Sequence, residues 1–311
     1  MTEIIKTRPI VSVVMLMHNI SPWLLECSKQ CFRSLVEHTV YPACEFIVVD
    51  NASTTQGWQE FNKYLVGQGA VVVRHEKNLG MTGGFNSGLE MSSGDYIFFV
   101  ENDVVVTDFW VTNALALFSK NPKCGLIKAV EDNKLRDETR TAESYNQEER
   151  YKEIQDSNKA WMKEYLDSPE SDLDGNSLDA WFSLWCFAIR REVLDTIDGY
   201  LFDEKIGLNW DEDMDICWRL RDAGWKMYQL YGMYVFHKAA QTCCLKGEYA
   251  ASPEKEKGRR YFTKKHDIIL SEHGWPTRRK FRKEQEVLGH TYKEYEDVHG
   301  VYIEGKGQRV I

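Results

Sequence analysis

After Pro9 the chain runs Ile-Val-Ser-Val-Val-Met-Leu-Met, almost wholly apolar and β-branched at its start, before closing at His18-Asn19. That pattern predicts a strand buried on both faces of a parallel sheet. Behind Ser21-Pro22, the residues Trp23, Leu24, Cys27, Cys31 and Leu35 recur at helical spacing and predict a helix over 22–38. The alternation continues with a strand at 45–49, a helix at 55–67, a strand at 70–75, a glycine-rich turn, a helix at 83–92 and a strand at 96–100. Strands and helices in strict alternation predict an α/β domain with a doubly wound, mostly parallel sheet. Ligands of such sheets collect at the carboxyl ends of the strands, so polar residues there are site candidates.

The pattern then changes. Between residues 131 and 178 the chain is highly charged with sparse apolar points, which predicts solvated helices or a mobile insertion. The aromatic run from Trp181 to Phe187 resumes the core, and residues 1–252 are expected to form one catalytic-sized domain. Beyond it, residues 253–311 alternate aromatic and basic side chains and are expected to form a helical extension.

Charge sharpens this division. The formal net charge is -9, yet residues 255–283 carry eleven Lys or Arg against three acids. The bulk of the chain repels a polyanion, whereas this tail can attract nucleic acid or an anionic membrane surface, or be a solvated helix pair. The longest apolar stretches fall short of the ~20 residues of a spanning helix. With no basic region and apolar core at the N-terminus, a cytoplasmic location is expected, with a membrane surface as a peripheral alternative. Eight cysteines in no CxxC arrangement fit reduced thiols.

Five groups can carry chemistry, and each has a structural alternative. Asp50, at the end of a buried strand, can accept from a nucleobase or ribose, or cap the following helix. The run from Asn78 to Gly88, with Gly80, Gly83 and Asn86, can bring backbone amides to an anion, or simply turn. Glu101, Asn102 and Asp103 follow an apolar strand and can hold a divalent cation against a diphosphate, or form a polar loop. Asp211, Glu212, Asp213 and Asp215 crowd one helix start, where mutual repulsion suits a general base, although a helix N-terminus also welcomes acids. His237 ends an apolar run as a third metal ligand or a structural imidazole.

In this order, a strand ending in His-Asn, then Val-Val-Asp-Asn-Ala-Ser, Asn-x-Gly-x-x-Gly-Gly-x-Asn-x-Gly, an acid-x-Asp strand end, Glu-Asp-x-Asp-x-x-x-Arg and a late His, the sequence resembles the family 2 glycosyltransferases of GT-A fold. The likeness covers roughly residues 9–242, outside the acidic insertion. It implies an inverting transfer from a nucleoside-diphosphate sugar, most often a UDP-sugar, to an acceptor hydroxyl of a glycan or lipid-linked glycan. Carried over, Asn19, Asp50, Asn78, Gly80, Gly83, Asn86 and Asn102 would contact the donor. Glu101, Asp103 and His237 would hold Mn2+ or Mg2+, with Glu101 standing where the family has Asp. Asp213 would be the general base, with Glu212 as runner-up. Trp181, Trp185, Trp210 and Asp211 are the candidate acceptor platform, the aromatics having core packing as their alternative. Two other readings remain beside it: the same chemistry on hydroxylated DNA bases through the basic tail, and a non-catalytic nucleotide- or carbohydrate-binding protein.

Overall fold

The computed structural model describes residues 9–131, 152–153, 155–156, 170–172, 183–207, 211–238 and 253–266, and the backbone of strands between 268 and 310. Its centre is a sheet in the order β3-β2-β1-β4-β8-β6-β9-β5. The first four are β1 (Val11–Met17), β2 (Cys44–Asp50), β3 (Val71–Arg74) and β4 (Tyr96–Glu101). They pair in parallel, with Met17 level with Asp50 and Leu16 level with Glu101.

This half arises as the pattern predicts. In β1, Val11, Val13, Met15 and Met17 point to one core, while Val14 and Leu16 point to the other. The first core is covered by α1 (Pro22–His38), α2 (Trp58–Gly67) and α4 (Trp110–Lys120), and the second by α3 (Gly80–Met91). Ser21 caps α1 by accepting from the Leu24 amide, with Pro22 at the first turn. Since β2 and β3 lie to one side of β1 and β4 to the other, the winding reverses at β1, and a crevice opens there at the carboxyl ends.

The other half is mixed rather than mostly parallel. Strand β8 (Cys186–Arg190) runs antiparallel to both β4 and β6 (Cys124–Glu131). The long β9 (Lys226–His237) is parallel to β6 but antiparallel to β5 (Val104–Val106) and to β7 (Glu170–Asp172). Most of the charged segment 131–178 lies outside the described residues; residues 152–153 and 155–156 are helical, as expected, whereas β7 adds a strand that pairs with β9.

Two further expectations change. The glycine run is not a turn before a helix: α3 begins at Gly80, and its glycines seat the helix on the sheet. A Cβ at Gly84 would lie 2.4 Å from Leu16 Cδ1, and one at Gly88 2.2 Å from Val14 Cγ1. Because Val14 is buried and β-branched, it has no room to yield. Gly88→Ala is therefore expected to cost about 1–3 kcal/mol in chemical denaturation, the range of an overpacked core.

The acidic run forms a helix, here α5 (Asp211–Asp222), and among the described residues the C-terminal extension is helical at α6 (Pro253–Lys265). From Ile268 the backbone is β: a short pair β10 (Ile268–Leu270) and β11 (Pro276–Arg278), then an antiparallel meander of β12 (Lys280–Val287), β13 (His290–Asp297), β14 (Gly300–Glu304) and β15 (Arg309–Val310). Val287 pairs with His290 and Asp297 with Gly300, so the meander's registers close tightly from strand to strand. Regularly spaced glycine punctuation between runs rich in Tyr, Val, Ile and Thr is the strand signal that the basic charge concealed.

Candidate active site

The carboxyl end of β4 delivers Glu101, and the chain turns at Asn102-Asp103 into β5. Because β5 pairs with the last residues of β9, Val104 sits opposite His237 and the Lys238 amide donates to the Asp103 carbonyl at 3.0 Å. Backbone pairing thus brings together residues 134 positions apart in the sequence. One ligand atom each from Glu101, Asp103 and His237 lie within 4.8 Å of one another.

Asp103 Oδ1 and His237 Nε2 are 3.4 Å apart, too poorly aligned to hydrogen-bond, and both atoms are buried without a partner. Native structures leave few such atoms. On its other nitrogen, His237 Nδ1 faces Glu131 Oε2 at 3.2 Å, and Trp185 stacks on the ring with centroids 4.5 Å apart.

The charges strain against burial. Burial first, then the charge of Asp103, pushes Glu101 up to about 7 against the pull of His237. For Asp103 burial acts upward too, but His237 and Lys238 outweigh it and hold the carboxyl below its usual value. Burial would lower His237, yet Asp103, Glu131 and Glu101 raise it to about 10. The carboxylates around His237 thus demand positive charge at this place, which a proton or a cation bound to the neutral imidazole can supply. Two carboxylates and an imidazole with orphaned buried atoms fit a divalent ion such as Mn2+ or Mg2+.

Across the crevice, α5 presents Asp211, Glu212 and Asp213 in its first turn, all buried, where the helix dipole favours negative charge. The Leu184 amide donates to Asp213 Oδ2 at 3.1 Å, leaving Asp213 Oδ1 and Glu212 Oε2 buried without hydrogen-bond partners. The next residue, Trp185, accepts from the Glu101 amide at 2.9 Å through its carbonyl while its ring covers His237. Two consecutive residues therefore tie the acidic helix to the carboxylate–imidazole cluster. Burial, then the charge of Glu101, raises Asp213 to about 8, with Lys128 pulling the other way, and burial with Asp213 raises Glu212 well above its usual value.

Along the face that carries Asp211, Asp215 and Trp218, α5 is strapped by α6. Asp215, with no exposure, meets Arg219 Nε at 2.8 Å, Lys265 Nζ at 2.7 Å and His266 Nε2 at 2.7 Å. Lys265 also reaches Asp203 at 2.7 Å, Arg259 approaches Asp211 at 3.3 Å, and Trp218 packs on Phe262 and His266. Arg259 and Lys265, two cations of the basic tail, are thus engaged by the domain's own carboxylates.

The residues expected on the donor side lie beyond the carboxyl ends of β1 to β4 and in α3, largely held by hydrogen bonds within the protein. Asp50 is fully buried: Oδ1 accepts from the Ser53 amide at 2.8 Å, and Oδ2 accepts from Asn62 Nδ2 at 2.7 Å and from the Arg74 guanidinium, which lies over Trp58. Asn19 Oδ1 accepts from Ser28 Oγ at 2.7 Å, and Asn102 Nδ2 donates to the same hydroxyl at 2.9 Å. Asn78 Oδ1 accepts from Asn51 Nδ2 and from the Gly80 amide, each at 2.8 Å, and Gly83 is buried one turn further on. Asn86 Nδ2 donates to the Phe202 carbonyl at 2.9 Å and so clips α3 to the segment before α5.

Trp181 and Trp210 lie outside the described residues. Trp185 is 4% exposed, with Lys128 Nζ 5.5 Å from its ring centroid, so it is a wall of the cluster rather than an open platform. Sequence reasoning missed Lys128, Glu131 and the Leu184 amide. Lys128 interrupts the apolar run of β6 and Glu131 closes it, and a charge inside or closing such a run is the signal that points to them.

The family model of glycosyl transferase family 2 matches residues 12–197. Among curated proteins, the chain is 27% identical over 99 residues to the uncharacterized glycosyltransferase EpsJ of Bacillus subtilis, covering 32% of this chain and 27% of that protein. It is 29% identical over 100 residues to glycosyltransferase GlyG of Streptococcus pneumoniae, covering 32% of each. The matched stretch thus spans about a third or less of these relatives. Among solved structures, GalNAc-T7 with UDP, GalNAc and Mn2+ superposes with a TM-score of 0.57 at 16% identity, over 82% of this chain and 48% of that one. S. aureus TarS 1-349 in complex with UDP-GlcNAc gives 0.56 at 17%, over 82% and 65%. The mannosyltransferase PcManGT of Pyrobaculum calidifontis with GDP-Man and Mn2+ gives 0.52 at 15%, over 83% and 70%. The fold is the GT-A type, and the chain belongs to glycosyl transferase family 2.

Proposed function

We propose that the protein transfers a sugar from a nucleoside-diphosphate sugar, a UDP-sugar first, to an acceptor hydroxyl with inversion at the anomeric carbon, the acceptor being a glycan or lipid-linked glycan. The observation that carries this reading is the pair of buried, unpartnered atoms Asp103 Oδ1 and His237 Nε2, facing one another beside Glu101 at the carboxyl end of β4. A bound Mn2+ or Mg2+ supplies neutralising charge for the diphosphate. Asp103 and His237, with Glu101, would hold it. Two of the three structures named above carry UDP or a UDP-sugar, and two carry Mn2+, which supports both choices.

Asp213 is the base in this reading, with Glu212 the alternative. As the acceptor oxygen forms its bond to the anomeric carbon, its proton passes to Asp213 Oδ1; the bond from that carbon to the phosphate oxygen breaks, and the diphosphate departs with the electron pair. Leu184 holds the other carboxylate oxygen, so the free one is aimed. No helix among the described residues is long and apolar enough to cross a membrane. We place the protein in the cytoplasm, where nucleotide sugars are made.

A thermal-shift screen of nucleotide sugars with and without Mn2+ tests the reading. A ligand at 100 times its dissociation constant stabilises the native state by about 2.7 kcal/mol. We expect one nucleotide sugar to raise Tm with Mn2+ and much less without it, and Asp103→Ala to erase the difference. If no nucleotide sugar shifts Tm in the presence of Mn2+, the protein is not a donor-dependent transferase.

A further inference from the structure

We infer that Glu131 is a positioning residue that fixes the orientation and tautomer of His237 for a divalent cation. The inference rests on the metal reading above and adds to it a residue that stands outside the ligand set. Glu131 ends β6, where the parallel pairing with β9 sets it opposite Val235, two residues before His237. Its Oε2 lies 3.2 Å from His237 Nδ1.

An imidazole that donates from Nδ1 to a carboxylate must present its Nε2 lone pair on the other side. That side faces Asp103, at 3.4 Å. Carboxylates behind a ligating histidine fix its ring and strengthen it as a donor, and their loss typically weakens metal binding 10–100-fold. The ring has little other freedom: Trp185 stacks on it at 4.5 Å and 23°, and the β5–β9 pairing fixes its backbone. Trp185 sets the plane of the imidazole, and Glu131 sets which nitrogen points at the carboxylates.

The test is titration of the full-length protein with Mn2+ alone, free ion being counted by electron paramagnetic resonance. Wild type is expected to bind one ion at this cluster, with binding weakened but still measurable in His237→Ala. Glu131→Ala is expected to weaken binding 10–100-fold. Glu131→Gln, which keeps an acceptor for Nδ1–H, should recover most of that loss. The two residues should be coupled, so that Glu131→Ala adds nothing to His237→Ala. Folding is checked by circular dichroism and Tm, and Glu131→Gln carries the comparison if Glu131→Ala does not fold. Equal Mn2+ affinity in wild type and both Glu131 variants, or additive losses in the double variant, overturns the inference while the cation site stands. Absence of Mn2+ binding by wild type overturns the cation site and the inference together.

Discussion

Replacing Asp213 by asparagine is expected to lower turnover by about 10²–10⁴-fold, the usual contribution of a positioned general base, while leaving nucleotide-sugar affinity nearly unchanged. The substitution is isosteric, and an asparagine oxygen can still accept from the Leu184 amide that now holds Asp213 Oδ2 at 3.1 Å. What is lost is the ability of Oδ1 to take a proton. Glu212→Gln is the comparison: if it loses turnover and Asp213→Asn keeps it, the base is Glu212. The measurement is kcat beside the donor dissociation constant, and near-normal kcat in Asp213→Asn removes that residue from the base role.

The same variant should be more stable than wild type at neutral pH. Burial and Glu101 raise Asp213 to about 8. A carboxyl raised on folding contributes its full stability below the unfolded value and loses it as pH climbs towards the folded one. Asparagine never ionises and escapes that loss, so its Tm advantage over wild type should grow between about pH 4 and pH 8 and be largest above that window. Because Glu101 is one cause of the shift, neutralising its charge lowers Asp213. Turnover should therefore rise with pH along an acidic limb that Asp213→Asn lacks. A destabilised active site that gains stability when disabled is a common signature of function.

Part of this site was legible in the chain and part was not, for physical reasons. The apolar runs ending at His18, Asp50 and Glu101 are long enough to require burial on both faces, which fixes parallel strands and places polar residues at their carboxyl ends. Glu101, Asp103 and His237 were visible because a charge at the end of a buried run is costly unless it is used. Glycines were visible as punctuation, but their purpose was not. Only the contact distances show that Gly84 and Gly88 admit Leu16 and Val14 rather than a ligand. Asp50 is legible as a strand-end carboxylate, but its bonds to Ser53, Asn62 and Arg74 are not, because they join residues 3, 12 and 24 positions away. Partners such as Glu131 for His237, or Leu184 for Asp213, depend on strand register across tens of residues, which a local pattern does not encode. The tail's strands are encoded in its spacing of glycines and aromatic residues, which its basic charge does not reflect.

Asp215→Ala should be among the most destabilising single substitutions in the chain, by about 3–5 kcal/mol, the range for removing one member of a buried ionic cluster. Asp215 has no exposure, and its loss leaves Arg219, Lys265 and His266 facing one another without their shared carboxylate. Arg219, itself 6% exposed, keeps only the carbonyls of Ile197, Tyr200 and Leu201. Burial acts to raise Asp215, but His266, Arg219 and Lys265 prevail and hold it at about 2. A carboxyl lowered on folding contributes stability that is complete above its unfolded value and disappears as pH falls through the folded one. Wild type should thus lose this contribution between about pH 4 and pH 2, and Asp215→Asn should flatten the acid-unfolding curve over that window. Since the cluster joins α6 to the helix that carries Asp213, kcat should fall together with stability. An Asp215→Ala variant with an unchanged denaturation midpoint would show that α6 is a passenger on the catalytic domain rather than its strap.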